Sequence, residues 1–173
     1  MYFKLKISAK DDQLLFKSNS ALIKFFIEGD NLEKLVKNFF ESLGQILNPL
    51  QKKSFLNKKN DELIFYSDGK EPSVIFLKKI KVNKEFSNDF FRNYFAGLIP
   101  SLEGKEIYNM NIIIPAFKHF PGHFESDKYM IQTIIEGINL GNYNFNKYKT
   151  EKKEMKFLQV YLHHSDVNMV NQV

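Results

Sequence analysis

Apolar and polar residues alternate over residues 1–7, with Tyr2, Lys4 and Lys6 on one side and Phe3, Leu5 and Ile7 on the other, which predicts a half-buried strand. A nearly unbroken apolar run at 21–27 predicts an inner strand, reached through a polar connection at 9–20. The period then changes. Leu32, Leu35, Val36, Phe39, Phe40, Leu43, Ile46 and Leu47 recur at spacings of three and four, the pattern of a helix with one apolar face. Asp30 as N-cap with Glu33 predicts a capping box, and Pro49 marks the helix end. Residues 50–61, rich in lysine and asparagine, read as an exposed connection. Strands at 62–66 and 73–77 follow, joined through the Asp68-Gly69 turn. A second helix from Ser87 or Asn88 buries Phe90, Phe91, Tyr94, Phe95, Leu98 and Ile99, with a kink or early stop expected from Gly97 and Pro100. A strand at 110–114 precedes a third helix, capped by Ser126 or Asp127, that turns Met130, Ile131, Ile134, Ile135 and Ile138 inward. A last strand covers 155–162. Strands alternating with helices argue for an α/β sandwich around a mixed sheet.

The length, 173 residues and 20.4 kDa, suits one ordinary domain, which removes roughly 70% of its unfolded surface from water. With 43% hydrophobic and 26% charged residues the composition is globular, and no apolar run approaches the roughly 20 residues that cross a bilayer. A disordered chain and a membrane partner are set aside. The absence of cysteine excludes disulfides, thiolate zinc sites and a cysteine nucleophile. The first residues contain no uninterrupted apolar signal region, so a cytoplasmic location is expected. The net charge of +5 comes almost wholly from lysine. Arg92 is the sole arginine, which argues against sequence-specific reading of phosphate and guanine.

Candidate chemistry is sparse. His119 and His123 have a spacing that two zinc ligands use on a helix, but Pro121 and Gly122 lie between them and no glutamate completes a motif. His163 and His164, adjacent at a strand end, are expected to point to opposite faces and into solvent. The carboxylates Asp11, Asp12, Asp61, Glu62, Glu151 and Glu154 read as solvated surface. No serine sits in a nucleophile elbow, and the glycines never gather into a phosphate-cradling loop. Lysine clusters at 52–53, 58–59, 78–79 and 147–153 read as solvated faces. Those near Tyr143, Phe145 and Tyr148 keep electrostatic DNA binding as a minor alternative. One segment is odd for a structural helix: Gly137 and Gly141 each cost roughly 1 kcal/mol of helix propensity relative to alanine, so a neighbouring backbone or partner element is expected to approach that face closely.

The segment also resembles the helix that closes the N-terminal domain of the leucyl (cytosol) aminopeptidase family, where the pattern runs E-G-x-x-L-G-x-Y-x-F-x-x-Y-K. Glu136, Gly137, Leu140, Gly141, Tyr143, Phe145, Tyr148 and Lys149 match its fixed positions. The rest of the chain follows the family's order of elements, although residues 55–59 lack the glycine of the family loop and the strand at 73–77 ends in Lys78-Lys79. The resemblance implies a macro-domain-like three-layer α/β sandwich with a mixed central sheet flanked by helices. It implies that residues 1–173 form a single non-catalytic N-terminal domain concerned with assembly. Its partner would be a C-terminal catalytic domain, absent from this chain, that holds two divalent metal ions, zinc or manganese, and acts on peptides within a homo-hexamer. No catalytic, cofactor-binding or metal-binding residue carries over, because no N-T-D-A-E-G-R-like segment is present. A free-standing macro-like module for ADP-ribose is the alternative, and its discriminating feature would be glycine-rich loops after the inner strands.

Overall fold

The computed structural model describes residues 3–11, 14, 16–29, 31–57, 60–102, 104–143 and 156–173. Six strands, β1 (Phe3–Lys10), β2 (Ser20–Ile27), β3 (Glu62–Tyr66), β4 (Val74–Ile80), β5 (Asn109–Ile113) and β6 (Lys156–His163), form one sheet in the order β1-β6-β5-β2-β4-β3. Every pairing is parallel except β3 with β4, so the sheet is mixed with one antiparallel edge. Central β2 is buried on both sides, the reason its sequence reads as a continuous apolar run. Its Ala21, Ile23 and Phe25 face α3 (Phe90–Ser101) and α4 (Asp127–Asn142), while Leu22 and Phe26 face α1 (Leu32–Ser42) and α2 (Pro49–Leu56). The expected three-layer α/β sandwich is what forms. No described helix is long and apolar enough to cross a membrane.

Several local expectations are corrected. The first helix stops at Ser42, because Gly44 adopts φ +61° and closes a Schellman cap: the Gly44 N–H donates to Glu41 O at 3.0 Å and the Gln45 N–H to Phe40 O at 3.0 Å. Ile46 is consequently 88% exposed rather than part of the apolar face. Asp30 lies outside the described residues, and Glu33 reaches Lys52 at 2.7 Å. Pro49 begins a helix instead of ending one. It occupies the first turn of α2, where a missing N–H costs nothing, and Asn48 Oδ1 caps that turn by accepting from the Leu50 N–H at 2.8 Å. The segment taken for an exposed connection thus carries Phe55, which is fully buried. Helix α3 continues through Gly97 and Pro100 to Ser101. A short C-terminal helix, α5 (Val167–Asn171), escaped the periodicity because its one buried residue, Val170, supplies no pattern.

Candidate functional site

The family-like helix is α4, begun by Ser126, whose Oγ accepts from the Tyr129 N–H at 3.1 Å. Its glycines lie one turn apart, on the stripe that meets α3. A Cβ on Gly137 would stand 2.6 Å from the Arg92 carbonyl oxygen, and one on Gly141 would stand 2.8 Å from that of Phe95. Only hydrogen fits at either position, so the expected close approach of backbone is present and its partner is α3. Around this seam the sole arginine finds its use. Arg92 Nε and Nη2 both donate to Glu136 Oε2, at 2.9 and 2.5 Å, and Arg92 also pairs with Asp89. The Arg92 guanidinium, helped by Gln132, holds the Glu136 carboxyl below the usual glutamate range.

Asn142, the last residue of α4, ties the seam to the sheet. Its Oδ1 accepts from the Phe3 N–H at 2.8 Å and its Nδ2 donates to the Phe3 carbonyl at 2.9 Å, so one buried amide stands in for a strand neighbour at the start of β1. The sequence carried no signal for this bond. The remaining described motif residues turn outward. Leu140 is 57% and Tyr143 64% exposed, and with Glu136 and Asn139 they line a shallow hollow. Motif residues Phe145, Tyr148 and Lys149 lie outside the described residues, as does the lysine cluster at 147–153.

Open α/β sheets take ligands in the crevice beyond the carboxyl ends of their strands. Here that position, above the starts of α3 and α4, is occupied by phenylalanine rings. Phe86 packs on Phe120 with centroids 5.4 Å apart, Phe120 on Phe91 at 5.6 Å and on Phe124 at 5.7 Å, and Phe91, Phe120 and Phe124 are buried. His123 rests edge-on against Phe86, and His119 sits exposed at the end of a short helical turn.

His163 and His164 are buried, contrary to the expectation of solvent exposure. The His163 ring spans from the Asp11 carbonyl at 2.8 Å to Asn111 Oδ1 at 2.9 Å, binding β1, β5 and β6 together. His164 Nδ1 accepts from the Asp166 N–H at 3.0 Å, which leaves the Nε2 hydrogen to face Asp127 Oδ2 at 3.2 Å. Lys79 likewise leaves the solvated cluster assigned to it: it is buried, donates to Asn57 O at 2.7 Å and lies over the Phe55 ring. Lys78 pairs with Asp61 and Glu62.

Among the described residues no three His, Asp or Glu side chains converge to hold a metal ion. Those residues do not fit a two-metal centre. A second carboxylate does structural work: Glu71 accepts from the Asn19 N–H at 2.8 Å, the Ser20 hydroxyl at 2.7 Å and the Ser73 N–H at 2.9 Å. Burial would raise the Glu71 carboxyl, but hydrogen bonds from Ser20, Asn19 and Ser73 outweigh it and hold the group below the usual range.

No family model matches the chain. Among curated proteins it is 24% identical over 148 residues to the probable cytosol aminopeptidase of Aquifex aeolicus (strain VF5), covering 86% of this chain and 28% of that protein. It is 34% identical over 103 residues to the probable cytosol aminopeptidase of Sulfurihydrogenibium sp. (strain YO3AOP1), covering 54% and 19%. The chain therefore spans from just under a fifth to somewhat over a quarter of the length of these curated relatives. Among solved structures, a mutant tomato leucine aminopeptidase superposes with a TM-score of 0.67 at 14% identity, over 98% of this chain and 35% of that one. The macrodomain of Thermus aquaticus DarG superposes with a TM-score of 0.55 at 10% identity, over 93% and 99%. The resemblance to the N-terminal domain of the leucyl (cytosol) aminopeptidase family, drawn from the motif residues, is borne out by these matches, and so is the macro-domain-like fold.

Proposed function

We propose that residues 1–173 act as a non-catalytic N-terminal assembly domain of a metal-dependent aminopeptidase that releases N-terminal amino acids from peptides. In this reading a separate catalytic domain supplies the divalent metal ions, and subunits assemble as a homo-hexamer in the cytoplasm. The observation that carries the reading is the division of labour within α4. Glu136, Gly137 and Gly141 are consumed by the seam with α3, whereas Leu140 and Tyr143, fixed positions of the same pattern, are turned to solvent. Their joint exposure beside a shallow hollow is what a docking surface would present.

The nucleotide-binding alternative finds less support, because phenylalanine side chains fill the crevice a macro-like ligand would need. The test uses the protein that carries this domain together with a catalytic part. Replacing Leu140 and Tyr143 with serine is expected to shift its sedimentation from hexamer toward smaller species while the unfolding temperature of the isolated 173-residue chain stays within a degree or two. An unchanged hexamer in the double variant contradicts the docking role. Release of leucine from leucine amide by the isolated chain, supplied with manganese or zinc, contradicts the non-catalytic one.

A further inference from the structure

The exposed edge of β3 faces a groove that nothing within the described fold fills. The Ser67 N–H donates to Ser73 O and the Lys79 N–H to Asp61 O, which fixes the parity of the β3–β4 ladder. Odd-numbered residues of β3 turn their backbone toward β4. The N–H and C=O groups of Glu62, Ile64 and Tyr66 therefore point to the open edge. Those same residues send their side chains to the face that α3 covers only in part, and Ile64 is 46% and Tyr66 64% exposed. Between Ile64 and α3 lies a groove of about 440 Å³, walled by Tyr94, Gly97 and Leu98.

Gly97 supplies an independent observation. Of the three glycines within described helices, Gly137 and Gly141 are demanded by the contact between α3 and α4, whereas nothing lies within 4 Å of the position a Gly97 Cβ would take. A glycine in a helix interior destabilises the helix against alanine. At Gly97 that cost is recovered nowhere in the fold, and its effect is to deepen the groove wall. The mouth is also charged. Among the described residues Asp61 and Glu62 share one lysine, Lys78, so these three groups together carry one negative charge beside the groove in a chain whose overall charge is +5.

We infer that the β3 edge and the groove beside it bind an extended polypeptide segment from a partner protein, with apolar residues alternating with basic ones. The segment adds a seventh strand through the outward groups of Glu62, Ile64 and Tyr66. It lays an apolar side chain against Gly97 and sets a cation near Asp61 and Glu62. Main-chain pairing at a sheet edge provides the attachment, and the groove between strand and helix provides the selection. This inference is independent of the aminopeptidase reading.

The probe is a fluorescein-labelled Lys-Val-Lys-Leu-Lys-Val peptide, followed by fluorescence anisotropy and by amide hydrogen exchange of the chain. Saturable binding is expected, with new exchange protection at the Ile64 and Tyr66 amides. Gly97→Met fills the groove, adds a better helix former and keeps the fold; it should weaken binding about tenfold or more, the loss expected when one apolar side chain is shut out. Tyr66→Pro removes one outward N–H from the end of an edge strand, where proline is tolerated, and should weaken binding comparably. Equal affinity for a peptide with glutamate in place of lysine overturns the proposal. So does unchanged affinity in both variants, absence of saturable binding, or a Tyr66-dependent dimer of the chain in place of peptide binding.

Discussion

Gly137→Ala and Gly97→Ala make the same chemical change in the interiors of two packed helices, and the structure predicts different outcomes. Each substitution gains about 1 kcal/mol of helix propensity. At Gly97 nothing lies within 4 Å of the new methyl group, so the gain is retained and the protein becomes more stable. At Gly137 the methyl carbon meets the Arg92 carbonyl oxygen at 2.6 Å and the Arg92 Cα at 2.8 Å, closer than side-chain carbons come to such atoms. Those neighbours are backbone, so relief requires α4 to move off α3 by several tenths of an ångström, and overpacking of this kind costs about 1–3 kcal/mol. The propensity gain is common to both variants and cancels in their difference. Gly137→Ala should therefore fall below Gly97→Ala by about 1–3 kcal/mol, which for a chain of this size separates their unfolding temperatures by roughly 2–12 °C. The chain has no tryptophan, so urea titration followed by far-UV circular dichroism is the suitable assay, with an unchanged denaturant slope showing that both variants unfold from the same state. If Gly137→Ala proves as stable as Gly97→Ala, the backbone contact does not constrain the seam and the account of the glycine pair fails.

Further outcomes follow from the polar ties. Asn142→Ala leaves the Phe3 N–H and C=O without their partner and should cost about 1–3 kcal/mol, with hydrogen exchange at Phe3 accelerating before that of the rest of β1. Glu71→Gln removes charge from a carboxylate that accepts from Asn19, Ser20 and Ser73, at a cost of about 2 kcal/mol near neutral pH. Because the folded state holds the Glu71 carboxyl below its unfolded value, its contribution is present above the ordinary glutamate range and is lost as pH falls through the folded value. Acid titration of stability should then be shallower in Glu71→Gln than in the wild type, and identical slopes would argue against the clamp. Glu136→Gln weakens a pair that is part exposed, so its effect should stay within about 1 kcal/mol and shrink further in high salt.

Periodicity exposed most of the sandwich because burial of one helix face or one strand side leaves a repeating mark. It placed β2, β3, β5 and the start of α4 within a residue or two, ended β1 and β4 three residues short, and failed where a single residue decides the geometry. Gly44 closes a Schellman cap and cuts α1 short, and Pro49 reads equally well as a stop or as a first turn until Asn48 is seen to cap it. Buried polar groups were illegible for a related reason. Adjacent histidines at a strand end carry no sign of whether Asn111, Asp127 and backbone groups will be waiting for them, and Lys79 looks like Lys78 until Asn57 and Phe55 enclose it. The glycines show how far the sequence reaches. That Gly137 and Gly141 invite close approach follows from their spacing and their cost to a helix, and α3 is the element that answers. Gly97 bears the same cost in the same kind of helix, yet nothing lies within 4 Å of the position its Cβ would take, and it lines an open groove beside the outer edge of β3. A helix glycine that the fold does not use is thus distinguished from one that it does only by locating the atoms around it. That distinction separates the seam, which explains why the chain folds, from the groove, where a partner is to be sought.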